Sequence, residues 1–241
     1  MKALILNSGL GSRMGDYTKT HPKCMTDLIS GETIIEAQLK LLVKNGVNEV
    51  VVTTGYYDKV LVDYCESLNL PIKFYFVKNP IYDKTNYIYS IYCAKELLTN
   101  EDVLLMHGDL VFEDSVLKSV LANEKSCMVV SSTTPLPEKD FKAVIENDKI
   151  LKVGIEFFEN AITAQPLYKL NSCDWQVWLD KIVEFCENDQ RKCYAENAFN
   201  QVSDKCNICT LDVKDGLCVE VDTPNDLIST NNKLKNLIEK Q

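Results

Sequence analysis

The sequence has no long hydrophobic run, although 46% of its 241 residues are hydrophobic. No stretch approaches the roughly 18 apolar residues of a membrane-spanning helix, so we expect no membrane partner. The N-terminal stretch has one lysine, then a short apolar strand and a glycine-containing loop, and this pattern does not fit a cleavable signal peptide. We therefore expect a cytoplasmic protein with a substantial core.

Positive charge is also scarce. The chain has 26 Lys and Arg residues against 35 Asp and Glu, which gives a net charge of −9. Proteins that bind a phosphate backbone need many positive side chains, so this balance argues against nucleic acid as a partner. An acidic protein that acts on small anions must instead concentrate its positive charge in one place.

The ten cysteines do not have the spacing of a metal site. Only Cys206 and Cys209 form a C-x-x-C pair, and no second pair lies near them, whereas a structural zinc site needs four ligands. We expect the cysteines to be reduced and mostly buried, as small apolar residues.

What the sequence does contain is a phosphate-binding pattern near its start. An apolar strand, Ala3 to Leu6, leads into Asn7-Ser8-Gly9-Leu10-Gly11-Ser12-Arg13, and Pro22-Lys23 follows. Backbone N–H groups in a glycine-rich turn after a buried strand can surround phosphate oxygens, and Arg13 and Lys23 add positive charge. The turn lacks the Gly-Lys-Ser/Thr of a Walker loop, and its glycine spacing is one residue too long for a dinucleotide fingerprint.

Apolar spacing predicts helices over residues 32–45 and 60–68, and β-branched runs predict strands over 49–53 and 72–77. A strand, helix, strand order implies a parallel sheet whose carboxyl-end loops form the site. Further along, residues 140–153 have the pattern of a β-hairpin.

The run Gly9-Leu10-Gly11-Ser12-Arg13-Met14, followed by Pro22-Lys23, resembles the signature of nucleotidyltransferases that join a nucleoside triphosphate to a phosphorylated small molecule. The resemblance covers nearly the whole chain. It implies an α/β fold: a doubly wound, mostly parallel, Rossmann-like sheet with a small antiparallel β insertion covering the active site. It also implies one domain over 1–241, with a nucleotide-binding part at 1–133, an acceptor-binding part at 134–215, and a metal-aspartate strand and C-terminal helix at 216–241.

Two aspartates follow predicted strands. A carboxylate at the carboxyl end of a buried strand needs a partner, and Mg²⁺ suits oxygen ligands. Asp109 and Asp222 resemble the family's metal aspartates, so we predict that they bind Mg²⁺; the alternative is that each caps the helix after it. We expect the nearby His107 to point to the other face of its strand and to be structural.

The resemblance also implies roles for other residues. Catalysis is assigned to Lys23, Arg13, Asp109 and Asp222. Nucleotide binding is assigned to Asn7, Ser8, Gly9, Leu10, Gly11, Ser12, Arg13, Lys23, Asn86, Ser90 and Gly108. Acceptor binding is assigned to Lys142, Gln165 and Glu196, with the alternatives that Lys142 is an ordinary exposed lysine and Glu196 a solvated residue on a helix face.

The Asn86 to Ser90 stretch most resembles the phosphocholine cytidylyltransferase branch, which implies transfer of CMP from CTP to a phospho-alcohol or phosphonate with release of pyrophosphate. Asp140-Phe141 and Ala195 stand where that branch carries the tryptophans of a choline cage, which argues against choline. Gln165 indicates a more polar acceptor.

Two alternatives remain open. A sugar-1-phosphate nucleotidyltransferase using UTP, dTTP or GTP would usually have a longer region between Ser131 and Asp222. A non-catalytic nucleotide-binding or regulatory subunit would be expected to have lost a metal aspartate or the lysine, and this chain keeps them. The sequence is equally consistent with a monomer and a homodimer.

Overall fold

The structure is a computed structural model that describes residues 1–239. Its strands are β1 Lys2–Leu6, β2 Glu49–Thr54, β3 Lys73–Lys78, β4 Val103–His107, β5 Leu110–Phe112, β6 Cys127–Ser131, β7 Lys142–Glu146, β8 Lys149–Gly154, β9 Ala161–Leu170, β10 Cys209–Asp212 and β11 Cys218–Glu220. Its α-helices are α1 Ile34–Lys44, α2 Asp58–Ser67, α3 Tyr87–Leu98, α4 Asp114–Ala122, α5 Ser172–Glu187, α6 Ala195–Phe199 and α7 Pro224–Ile238. Within residues 1–239, none of the helices has the length and apolar character needed to cross a bilayer.

One mixed sheet of nine strands organises the chain, in the order β3-β2-β1-β4-β9-β6-β10-β8-β7. The pairs β1–β2, β1–β4 and β2–β3 are parallel, as the alternation of strands and helices predicts. Beyond β4 the pairing changes, because β9 runs antiparallel to both β4 and β6. The prediction of a mostly parallel sheet therefore holds for the first four strands, whereas in the rest of the sheet only β6 and β10 pair in parallel within the described residues.

The predicted hairpin is present as β7 and β8, but it belongs to the main sheet. The long strand β9 pairs with β4 and β6 along its later residues and with β7 along its first residues. The hydrogen bonds of the sheet therefore continue into the hairpin, and only some hairpin-region residues reach the cavity described below.

Helices cover both faces of the sheet. In β1, Leu4 and Leu6 pack on the side of α3 and α5, whereas Ala3 and Ile5 pack on the side of α1, α2 and α4. All four side chains are buried, since successive residues of a strand point to opposite faces. This two-sided core is the feature expected of a doubly wound sheet.

A separate pair of short strands brings distant parts of the chain together beside the end of β4. Strand β11 pairs antiparallel with β5, and the Val221 amide donates a hydrogen bond to the Asp109 carbonyl over 3.0 Å. The residue after Val221 is Asp222, so this pairing places the two predicted metal aspartates at the same edge of the fold.

Candidate active site

A cavity of about 430 Å³ opens at the carboxyl ends of β1 and β4. The N-terminal loop from Asn7 to Arg13 lines one side, and Lys23, Asp109 and Asp222 lie beside it. The other side includes Asn86, Tyr87, Ser90, His107, Lys139, Asp140, Phe141, Ile155, Tyr194 and Glu220. Positive and negative side chains thus share one concave site, as expected for a pocket that binds charged ligands.

The N-terminal loop is held against Lys23. Gly11 has φ of +64°, and a Cβ added there would lie 3.0 Å from the Lys23 Cβ. The Thr18 hydroxyl donates a hydrogen bond to the Gly11 carbonyl over 3.1 Å. Glycine is required at this position by both the backbone conformation and the close approach.

Lys23 joins the two aspartates. Its Nζ contacts Asp109 Oδ2 and lies 2.6 Å from Asp222 Oδ1, which also accepts from Arg13 Nη2 over 2.9 Å. Burial alone would lower the pKa of Lys23, but the two carboxylates outweigh it and the pKa is raised. Burial likewise opposes ionisation of Asp109, yet Lys23 and His107 lower its pKa. The cluster is therefore ionic.

Neither aspartate caps a helix. Thr223 is the N-cap of α7, where the Asp226 amide donates to the Thr223 hydroxyl over 3.3 Å and the Thr223 amide donates to Asp226 Oδ2 over 2.8 Å. Helix α4 has Glu113 as its N-cap. The capping alternative is thus wrong for both Asp109 and Asp222, whose carboxylates face the cavity instead.

His107 lies in the cavity wall, so the prediction that it faces away is wrong. It stands two positions before Asp109, and residues two apart in an extended chain lie on the same side. Glu220 likewise stands two positions before Asp222 and lines the cavity, and the sequence analysis did not predict it as a site residue. His107 Nδ1 lies 3.0 Å from Glu220 Oε1; although burial lowers the pKa of His107, Glu220 raises it overall.

The donor atoms at this edge fit a divalent cation. One ligand atom from each of His107, Asp109 and Glu220 lies within 4.8 Å of the others. Asp109 Oδ1 is buried and has no hydrogen-bond partner among residues 1–239. Buried oxygen atoms that lack a protein partner are suitable ligands for a hard cation such as Mg²⁺.

Most residues predicted to bind nucleotide lie in the cavity wall. Asn86 caps α3, with its Oδ1 accepting from the Tyr87 amide over 2.7 Å. One turn later, the Ser90 hydroxyl accepts from Asn79 Nδ2 over 3.1 Å. Asn79 also lines the cavity, and the sequence reading did not select it.

Gly108 is not among the described residues that line the cavity; it packs behind the loop. A Cβ built on Gly108 would lie 1.7 Å from Asn7 Oδ1. Gly108 therefore makes room for the Asn7 side chain, a contact that links the first strand to the residue before Asp109.

The three predicted acceptor ligands lie outside the cavity wall of the described chain. Lys142 is fully buried, and its Nζ donates to the Pro137 carbonyl over 2.6 Å. Gln165 has a buried Oε1 without a hydrogen-bond partner among residues 1–239. Glu196 is buried and accepts from the hydroxyls of Tyr87 and, over 2.9 Å, Tyr168. Glu196 is therefore not a solvated helix-face residue.

An aromatic wall stands where the sequence reading found no tryptophans. The ring centroids of Tyr87 and His107 are 4.8 Å apart, and those of Phe141 and Tyr194 are 5.2 Å apart. Tyr87 and Tyr194 are also neighbours, at 5.8 Å. Phe141 stands at one of the positions where the choline branch carries a tryptophan. Tyr194 directly precedes the other such position, Ala195. The sequence therefore places an aromatic residue at or next to both positions.

Comparison with known proteins gives the family. A model described as the MobA-like NTP transferase domain matches residues 3–139, more than half of the 241-residue chain. The chain belongs to this family. The matched NTP transferase segment contains the loop, Lys23 and Asp109, whereas Asp222 lies after it.

Among curated relatives of this chain, the CTP:phosphoglutamine cytidylyltransferase of Campylobacter jejuni is 34% identical over 64% of this chain and 62% of its own length. The CMP-5'-(3-aminopropyl)phosphonate synthase of Streptomyces rubellomurinus is 33% identical over 55% of this chain and 21% of its own. The choline-phosphate cytidylyltransferase of Streptococcus pneumoniae is 34% identical over 43% of each chain. The matches thus span less than two thirds of each relative's length.

Solved structures support the fold. The CTP:phosphocholine cytidylyltransferase of Streptococcus pneumoniae superposes with a TM-score of 0.75 at 18% identity, covering 97% of this chain and 98% of that one. The inositol-1-phosphate CTP transferase of T. maritima gives 0.77 at 22% identity, covering 97% and 96%. The Rossmann-like nucleotidyltransferase fold predicted from the sequence is therefore confirmed.

Proposed function

We propose that this NTP transferase moves CMP from CTP to a small phosphorylated or phosphonate acceptor and releases pyrophosphate. The observation that carries the proposal is the position of Lys23, which lies between Asp109 and Asp222 and against the glycine loop. The names of the three curated relatives, each a CMP or CTP enzyme with a phosphate or phosphonate acceptor, favour CTP as the donor.

In the proposed reaction, an acceptor oxygen forms a bond to the α-phosphorus of CTP while the bond from that phosphorus to the bridging oxygen breaks. The electron pair leaves with pyrophosphate, and no protein nucleophile is needed because the acceptor is already an anion. Backbone amides of the loop and Arg13 would hold the β- and γ-phosphates, and Lys23 the α-phosphate. Holding two mutually repelling anions in line is the main catalytic task.

The proposal includes Mg²⁺ at Asp109, which belongs to the group with His107 and Glu220, and at Asp222, the second metal aspartate that the family resemblance implies. Bound there, the cation would supply positive charge to phosphate oxygens during transfer. The buried, unpartnered Asp109 Oδ1 supports this assignment. Lys23 pairs with both carboxylates, so the proposal requires its ammonium group to exchange a carboxylate for a phosphate oxygen when CTP binds.

The aromatic wall supports an acceptor that carries a cationic amino group. Tyr87, Phe141 and Tyr194 offer ring faces, and Glu220 supplies a carboxylate in the same cavity. Cations bind favourably over aromatic faces, most strongly where water is excluded. Aminoalkyl phosphates and phosphonates have the required cation at one end and the attacking anion at the other.

The test is pyrophosphate release with Mg²⁺ over a grid of CTP, UTP, dTTP, GTP and ATP against several acceptors. The acceptors with a cationic group are phosphoethanolamine, aminoethylphosphonate and phosphocholine; those without one are glycerol phosphate, inositol phosphate and sugar-1-phosphates. We expect pyrophosphate release with CTP and an acceptor that carries a cationic group. This release should be lost on chelation by EDTA and in the variants Asp109→Asn and Asp222→Asn. Asp83→Asn, at an exposed site, serves as the matched control.

Other results would redirect or reject the proposal. Release only with UTP, dTTP or GTP and a sugar-1-phosphate would assign the sugar nucleotidyltransferase alternative. Release with CTP and only an acceptor that lacks a cationic group would reject the cationic acceptor while leaving CMP transfer intact. Failure of every triphosphate to bind or to stabilise the protein against heat would reject the nucleotidyltransferase proposal.

A further inference from the structure

Residues 132–140, in the loop between β6 and β7, carry two charged side chains into the cavity wall. These are Lys139 and Asp140, which lie beside the aromatic wall. The loop forms neither helix nor strand, and nearly all of its residues are exposed. Such a segment needs contacts from outside itself to hold one conformation.

Lys142 supplies part of that contact from beneath the loop. Its fully buried side chain donates to the carbonyls of Pro137 over 2.6 Å and Asp140 over 3.2 Å. Its Nζ also lies 4.2 Å from the ring centroid of Phe158. An ammonium group has three N–H donors, and burying it is costly unless they are satisfied. Two carbonyls and one ring face account for all three.

Thr163 supplies a second contact with the loop. It stands directly opposite Lys142 in the pairing of β7 with β9. Its buried hydroxyl lies 3.1 Å from both the Thr134 and the Pro135 carbonyls, between which it shares its hydrogen bond. The cross-strand pair of Lys142 and Thr163 therefore binds carbonyl groups near both the start and the end of the loop.

We propose that Lys142 and Thr163 are positioning residues that fix the loop 132–140, and through it Lys139 and Asp140, at the acceptor end of the cavity. The effect on the acceptor rests on the proposed function; the effect on the loop does not. Lys142 thus acts through the loop backbone and does not bind the acceptor itself.

The experiment compares Lys142→Met and Thr163→Val with the wild type. Methionine keeps an unbranched, apolar chain of similar length, and valine keeps the shape of threonine, so each variant removes donors with little loss of volume. Lys152→Met, at an exposed lysine on the adjacent strand β8, is the matched control. Two properties are measured: amide hydrogen exchange in the peptide covering 132–141, and KM for CTP and for the acceptor.

Both variants are expected to speed exchange in the loop peptide about fivefold or more, since one net hydrogen bond corresponds to roughly that factor. KM for the acceptor is expected to rise about five- to tenfold, with KM for CTP changed less than about twofold. A general loss of stability would instead affect both substrates and peptides across the sheet.

Wild-type exchange and wild-type acceptor KM in both variants would overturn the proposal. An equal rise in both KM values would also overturn it. If the wild type transfers nothing, the proposed function fails, and loop exchange still decides whether the pair holds the loop. If Lys142→Met does not fold, Thr163→Val provides both measurements.

Discussion

Lys23 Nζ lies 2.6 Å from Asp222 Oδ1, although 199 positions separate the two residues in the chain. Asp109 completes the contact from the other side of Lys23. The lysine proposed to hold the α-phosphate thus neutralises the carboxylates proposed to hold the metal ion. The proposed function therefore couples substrate binding to the stability of this ion-pair cluster.

The first prediction concerns Lys23→Met, which leaves two partly buried carboxylates without their shared cation. Removing one partner of a buried ion pair costs about 3 kcal/mol of stability, and loss of a charged donor costs about 100-fold or more in transfer rate. Added Mg²⁺ should raise the Tm of the variant more than that of the wild type, because it replaces the missing charge.

Thermal unfolding with and without Mg²⁺ checks this. Lys59→Met is the control, because Lys59 pairs only with the exposed Asp63 in the described structure. An unchanged Tm for Lys23→Met without metal would contradict the predicted coupling.

The second prediction concerns Gly108→Ala. The new Cβ would overlap the Asn7 amide, which lies 1.7 Å from the position it would occupy. Overpacking of this kind costs about 1–3 kcal/mol. The double variant Asn7→Ala with Gly108→Ala should recover most of that loss, because alanine at position 7 removes the overlapping group.

Chemical denaturation measures both variants. Gly9→Ala is the control, since a Cβ there meets nothing within 4 Å. Equal destabilisation of the single and double variants would show that contact with Asn7 is not the reason why position 108 requires glycine.

The third prediction concerns Glu196, which accepts from two buried tyrosine hydroxyls. Glu196→Ala leaves the hydroxyls of Tyr87 and Tyr168 without this partner, at a cost of about 1–3 kcal/mol each. Tyr168→Phe should therefore cost less in the Glu196→Ala background than in the wild type, by about 1 kcal/mol or more.

A double-mutant cycle by urea denaturation measures this coupling, with Glu187→Ala at an exposed site of α5 as the control. Strict additivity of the Glu196 and Tyr168 changes would exclude the energetic link.

The fourth prediction concerns pH and Asp114. Hydrogen bonds from Lys118, Lys44 and Asn45 hold the pKa of this carboxyl well below its usual range. A lowered folded-state pKa stabilises the fold above the unfolded value of about 3.9 and loses that contribution as the pH falls below it. Asp114→Asn should therefore be less stable by about 1 kcal/mol at pH 7, with a smaller difference near pH 3.

Denaturation at several pH values checks this, with Asp83→Asn as the exposed control. A difference that grows as the pH falls would have the wrong sign for the ion pairs of Asp114.

The sequence alone was enough for the features that depend on local pattern. An apolar strand followed by glycines predicts the loop, because only small residues allow its backbone conformation and close contacts. Alternating strands and helices predict the parallel half of the sheet and place Asp109 at its carboxyl edge. The family resemblance then linked Asp109 to Asp222, and the β5–β11 pairing brings them together.

Only the tertiary structure decided which side chains beyond the loop reach the cavity. Lys142 and Glu196 are polar residues in the right region of the sequence, but strand register and helix packing turn them towards buried carbonyl and hydroxyl groups. His107 and Glu220 lie in the cavity wall because each stands two positions before an aspartate that faces the cavity, and residues two apart in an extended chain point to the same side. The aromatic wall combines Tyr87, Phe141 and Tyr194 from distant segments, and contacts between distant segments leave no mark in local sequence.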